Sequence, residues 1–190
     1  MEPSYAYKDV KGNLCEDVHS IALSLLSYQS DYAILLTNPN DTLFLYLEAH
    51  TTCNIERLRS YFSKTDKKGS QVAVMKTIYE IDPDIPLLAR YPSSNLKEIV
   101  LTFGREQLTE DDWHCLTDGR LLAWMYSHED KMVCESMRIL TQGKPYSESL
   151  AFKVLYNLDR EAGYDLKSAF TPLQIGEQIC ERLKGVEHLD

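Results

Sequence analysis

Apolar side chains recur every three to four positions along most of this chain, and polar capping residues mark where each run begins. Asn13, with Glu16 three residues on, has the form of a capping box. Behind it Leu14, Val18, Ile21, Ala22, Leu25 and Leu26 share one face at the 3.6-residue period, which predicts a helix from about residue 14. Near the other end, Thr171-Pro172 with Gln174 supplies a cap, a proline suited to the first helical turn and a box partner. Ile175, Ile179 and Leu183 follow along one face, and Gly185 stands where a left-handed cap closes a helix.

The pattern recurs between these two segments. Ser94 or Asn95 caps a run through Leu96, Ile99, Val100 and Phe103 that ends at Gly104. Thr109 with Asp112 opens a segment carrying Trp113, Leu116, Leu121, Trp124 and Met125, with Glu110 and Asp111 placed to complement the helix dipole. Ser127 with Asp130 predicts another helix through Val133, Met137 and Leu140, stopping before Gly143. Ser147 precedes Leu150, Val154, Leu155 and Leu158.

Residues 31–81 are less legible. Ala33–Leu36 and Leu43–Leu47 are short apolar runs separated by Asn38-Pro39-Asn40-Asp41, which suits a hairpin turn or the cap of a short buried helix. Asn54–Phe62 reads as helix on Ile55, Leu58 and Phe62, and helix is preferred for Val72–Ile81. The fold class expected is mainly α, an irregular bundle of roughly seven to nine helices. The alternative is an α+β fold with a small β-hairpin near residues 31–48. Breaks at 65–70, 82–92 and 142–145 are too short for free linkers, so residues 1–92 and 93–190 are expected to be the helical halves of one compact domain.

Composition narrows the function classes. Hydrophobic residues make up 44% of the chain and charged residues 26%, enough apolar material for a core. No apolar run approaches the roughly 20 residues of a bilayer span. Met1-Glu2-Pro3-Ser4 has neither the basic nor the apolar region of a secretory leader. Cys15, Cys53, Cys115, Cys134 and Cys180 are odd in number and show no CxxC spacing. Together these lead to the expectation of a cytoplasmic or otherwise reducing compartment. The net charge of −9 argues against general nucleic-acid binding.

Four local constellations could carry chemistry. Cys15 and His19, four apart on the first expected helix, could form a thiolate pair, as could Cys53 with His50; a cysteine-dependent hydrolase or transferase would need such a pair. Zinc wants two spaced ligand pairs, and His50 with Cys53 has no complement, so neither a metal nor a cofactor is expected. Glu110, Asp111, Asp112 and Asp118 form the densest acidic cluster, which the dipole of a helix start explains without a cation. Arg57, Arg59, Lys64, Lys67 and Lys68 form a basic run on an acidic chain, a candidate site for a phosphate, an anionic lipid head group or an acidic partner. Tyr5 and Tyr7 lie in a polar segment where nothing in the pattern forces burial. With good helices and no catalytic motif, the leading expectation is a helical protein–protein interaction module or adaptor, of a composition that also suits effector-like or accessory proteins acting on a host or partner protein. The thiol enzyme and the basic-patch binder are the alternatives.

Overall fold

The first ordered element is a β-hairpin held by one carboxylate. In the computed structural model, which describes residues 6–63, 70–129 and 131–158, strands β1 (Tyr7–Lys8) and β2 (Leu14–Cys15) pair antiparallel, with Tyr7 opposite Cys15. Asp9 closes the turn. Its side chain accepts from the Lys11 and Asn13 amides at 2.8 Å each, from Asn13 Nδ2 at 3.0 Å and from the Ser24 hydroxyl at 3.3 Å. Gly12 supplies the left-handed residue of the turn, at φ 84°. Asn13 is therefore committed to the hairpin and does not cap a helix. The first helix, α1 (Val18–Ser27), starts later than the periodicity predicts, at an Asp17–Ser20 capping box.

Tyr7, in a polar segment where the sequence pattern does not force burial, is buried. Its ring packs against Tyr46 at 5.9 Å between centroids, and its hydroxyl is hydrogen-bonded to that of Tyr32. Burial pushes both phenols up, so both stay neutral.

The rest of the described chain is helical, so the fold is mainly α with one small hairpin. Residues 31–48, where a hairpin was the alternative, form α2 (Gln29–Leu35) and α3 (Thr42–His50). The Asn38–Asp41 turn joins two helices because Asp41 accepts from the Leu43 amide at 2.9 Å and so caps α3. Asn54 and Ser70 cap α4 (Ile55–Phe62) and α5 (Gln71–Ile81), and Asn95 caps α6 (Leu96–Arg105).

Downstream, the segment opened by Thr109 and Asp112 has the expected capping box but is not continuous. It breaks into α7 (Glu110–His114) and α8 (Arg120–His128), because Gly119 takes φ 107° between them. This break, with two helices where residues 31–48 were ambiguous, gives ten helices among the described residues. Ser127 lies inside α8 and not at the start of the next helix, α9 (Lys131–Thr141). Ser147 accepts from the Leu150 amide at the start of α10 (Glu148–Leu158). The helix expected at residues 172–184 lies outside the described residues.

α5 is the axis of the bundle. Val74, Met75, Thr77 and Ile78 are fully enclosed, and the helix packs against α1, α2, α4 and α8. One core joins residues from Tyr7 to Leu155, with Ile21, Leu25, Ile78 and Trp124 all at 0% exposure. α6 and α9 pack on α10, and Trp113 bridges α6 and α10 through Phe103 and Phe152. No helix among the described residues is long and apolar enough to cross a membrane.

The Asp9 carboxylate gives a signed pH dependence. Burial acts to raise its pKa, but the hydrogen bonds from Asn13, Lys11 and Ser24 together outweigh it and hold the group below its ordinary value of 3.8. Its contribution is complete above that value and is lost as pH falls through the lower folded one. Asp9→Asn is expected to lower stability at neutral pH, by about 1–3 kcal/mol, and to flatten the acid limb of a denaturation-midpoint curve below pH ~4. An acid limb unchanged from the parent would contradict this assignment.

Candidate functional site

The acidic cluster is organised around a residue that periodicity does not single out. Arg120, at the first position of α8, has only 4% of its side chain exposed. Its guanidinium donates to both carboxylate oxygens of Asp111, at 2.9 and 3.0 Å, and to the Asp111 carbonyl at 2.9 Å. Nε donates to Asp118 at 2.8 Å, and Nη1 reaches Gln29 on α2 at 3.4 Å. Burial works against the charge, but these carboxylates more than offset it, and Arg120 stays protonated. One planar cation thus ties α7, the turn before α8 and the start of α2 together, with the bidentate geometry that suits arginine.

Beside it lies an open polar cleft of about 450 Å³, lined among others by Ser27, Gln29, Asp31, Gln71, Arg90 and Arg120. Its charged groups are paired within the chain. Asp31 accepts from Lys11 at 3.1 Å, Arg90 donates to Asp112 at 3.3 Å, and Arg120 is held as above. Asp112 also accepts from the Thr109 amide and hydroxyl. A cleft with its charges internally balanced has little field left for an ionic ligand. Glu110, the remaining member of the acidic cluster, lies 3.8 Å from His114. Among the described residues no group of three or more His, Cys, Asp or Glu is placed to hold a metal ion.

The thiol candidates are separated by the fold. Cys15 is in β2, buried, while His19 is on α1, exposed and paired with Asp82 at 2.6 Å. Burial, with Asp9 and Asp17 nearby, pushes the Cys15 thiol up, opposite to the shift an activated nucleophile needs. Cys53 donates to the Glu80 carbonyl at 3.5 Å. His50 lies against the carbonyl of Tyr46 at 2.8 Å and stacks on the Tyr46 ring at 4.1 Å. Cys115 and Cys134 are buried, and desolvation drives the Cys115 thiol strongly up; Cys180 lies outside the described residues.

In the basic run, Arg57 and Arg59 sit on α4 and already have partners. Arg57 donates to the Tyr61 hydroxyl at 2.9 Å and pairs with Glu80 at 3.3 Å. Arg59 pairs with Glu56 at 2.6 Å, donates to the Pro39 carbonyl and lies over the Phe44 ring at 5.6 Å. Lys64, Lys67 and Lys68 lie outside the described residues.

A different surface stands out. α9 turns Cys134, Met137 and Thr141 into the core, yet it carries Met132 at 82% and Ile139 at 63% exposure on its outer face. These two are seven residues apart, two helical turns along one side. Tyr126 of α8, 54% exposed, joins them across a shallow groove of about 640 Å³ whose rim includes Glu129, Lys131, Glu135 and Ser136. Arg138 clamps Glu135 through two hydrogen bonds, at 2.5 and 2.7 Å, and also bonds Gln142. The rim charge at Glu135 is therefore neutralised beside an apolar strip. The sequence pattern on this helix is carried by Val133, Met137 and Leu140, and Met132 and Ile139 fall on a second side that the period of one buried face does not reveal. Compared with protein-family models, curated proteins and solved structures, the chain matches none.

The Arg120 network yields a ranking of variants. Asp111→Ala leaves a buried guanidinium held mainly by Asp118. Breaking one side of a buried pair costs about 3–5 kcal/mol, and the 63% exposure of the Asp111 side chain places this case at or below the lower end. Glu110→Ala, from the same cluster, should change stability by less than about 0.5 kcal/mol. Equal effects in urea denaturation would show that Arg120 is not the organising charge.

Proposed function

We propose that this chain is a helical protein–protein interaction module that receives an amphipathic helix of a partner protein in the α8–α9 groove. The observation carrying the reading is the exposed strip of Tyr126, Met132 and Ile139 gathered around one groove. Contiguous apolar surface rimmed by polar groups is costly to leave in water and commonly marks a contact site. The two-turn spacing of Met132 and Ile139 suits side chains arriving at i, i+4 and i+7 on a docked helix. Tyr126 adds a large ring with few torsions to order, a favourable hot-spot composition. The thiol arrangement gives the enzyme alternative no support, because the one candidate thiol with a defined shift is pushed away from reactivity.

The test compares partner capture from native lysate by the full-length chain, an Ile139→Glu variant and a Leu45→Glu variant. Leu45 is 54% exposed on α3, remote in sequence from the groove, and controls for a new surface charge. Both substitutions are at exposed positions and should leave the thermal midpoint close to that of the parent. Ile139→Glu is expected to reduce capture at least about tenfold, equivalent to roughly 1.4 kcal/mol, while Leu45→Glu leaves it intact. Capture of the same proteins at the same level by the Ile139 variant would refute the groove as the docking site.

A further inference from the structure

α9 is a wall of the groove and is itself an amphipathic helix of the kind that the groove suits. Met132, Glu135, Ser136 and Ile139 lie within roughly a 100° arc of its outer side, and all four are exposed. The two apolar members are placed symmetrically along the helix. Met132 stands four residues before Ser136, and Ile139 four residues after Glu135. A second α9 laid antiparallel across the 135–136 midpoint therefore brings Met132 of each copy against Ile139 of the other. A two-fold interface requires a face that is complementary to itself in this way.

On the reading of the groove as a helix-docking site, on which this rests, we infer that the occupant is α9 of a second copy of this chain, in a two-fold dimer.

Charge favours this occupant. The whole chain carries −9, so two copies repel one another at most approaches. At the groove the charged groups are Glu129, Lys131 and Glu135, with Arg138 bound to Glu135, and they sum to zero. A strongly basic or acidic partner helix gains nothing from a neutral rim, whereas a second copy loses its repulsion there. Glu135, beside the two-fold axis, faces its own counterpart across it. Arg138 cancels that charge on each copy through two hydrogen bonds to the carboxylate. Ser136, the other residue at the crossing, donates its hydroxyl to the Met132 carbonyl at 3.0 Å, so it brings no unsatisfied donor into the contact. Its small side chain lets the helices approach to about 8 Å. Tyr126, lining the same groove from α8, covers the flank of the incoming helix.

The dimer is a weak one. A helix pair about 16 Å long covers less than the roughly 800 Å² per partner of a standard interface. Association is therefore concentration-dependent, and a tighter-binding helix displaces the second copy.

Sedimentation equilibrium of the full-length chain, from about 10 μM to about 1 mM, should show the average mass rising from that of one chain toward that of two. Ile139→Glu should weaken this association at least tenfold with an unchanged thermal midpoint. Ser136→Cys locates the axis. Oxidation with copper phenanthroline should join two copies through position 136, read as a covalent dimer on a non-reducing gel, and adding Ile139→Glu should reduce that product at least tenfold. The parent chain and Leu45→Cys, at an exposed position on α3, give the background under the same oxidation. A single-chain mass throughout the range, association insensitive to Ile139→Glu, or Ser136→Cys cross-linking no better than the background would each overturn the inference. The two failures are distinguishable. A monomer whose lysate capture still depends on Ile139 removes the dimer alone, while unchanged capture by Ile139→Glu removes the docking function.

Discussion

Burial of α5 on nearly every side is the constraint on which the rest of the structure depends. A helix presenting Ala73, Val74, Met75, Thr77 and Ile78 to the interior has to be enclosed by others, and α1, α2, α4 and α8 provide that enclosure. Thr77 is tolerated there because its hydroxyl donates to the Ala73 carbonyl one turn back, at 3.0 Å. Gly119 belongs to the same constraint. A Cβ at that position would meet Val72 at an ordinary 3.4 Å, so it is the left-handed backbone of the turn leading into α8 that calls for glycine. The hairpin, α3 and α10 are then added to a bundle already defined by its axis.

Polar groups inside or beside that core are handled by local pairing. Arg120 takes the acids of α7 and the following turn as its own counter-charge, which converts an apparent acidic cluster into a clasp between helices. Asp9 plays the complementary part for the hairpin, as a carboxylate surrounded by donors. Two buried groups are exceptions. The Tyr79 hydroxyl and the Trp124 indole N–H have no hydrogen-bond partner among the described residues, and the His128 ring packs on both side chains, stacked on Trp124 at 4.1 Å and edge-on to Tyr79 at 6.1 Å.

Much of the helical architecture was legible in the sequence wherever a cap and a single apolar phase coincided, as at Asn54, Asn95, Thr109 and Ser147. Failures have particular physical causes. Asn13 resembles a cap but serves the Asp9 turn, and the Asp9-to-Gly12 spacing was the signal for a hairpin at residues 7–15 that helical periodicity obscured. Burial of Tyr7 was not legible because its neighbours are polar, whereas alternation along a two-residue strand turns it inward. Short apolar runs at 31–48 fit strand or helix equally until Asp41 commits its side chain to a cap. The candidate site was the least legible part: charge density pointed to α4, whose two arginines are taken up by Glu56, Glu80 and Tyr61, while Met132 and Ile139 on α9 gave no signal beside the pattern of Val133, Met137 and Leu140.

A rigid axis with a clasped α7–α8 corner would give the α8–α9 surface a firm base, which favours docking by keeping the ordering cost on one side small. The central claim is that α5 holds the bundle together, and native-state hydrogen exchange tests it most directly. The amides of residues 74–79 should be the slowest in the chain, opening only with the free energy of global unfolding. Slowest exchange located in α9 or α10, with α5 opening in a smaller unfolding event, would contradict the account.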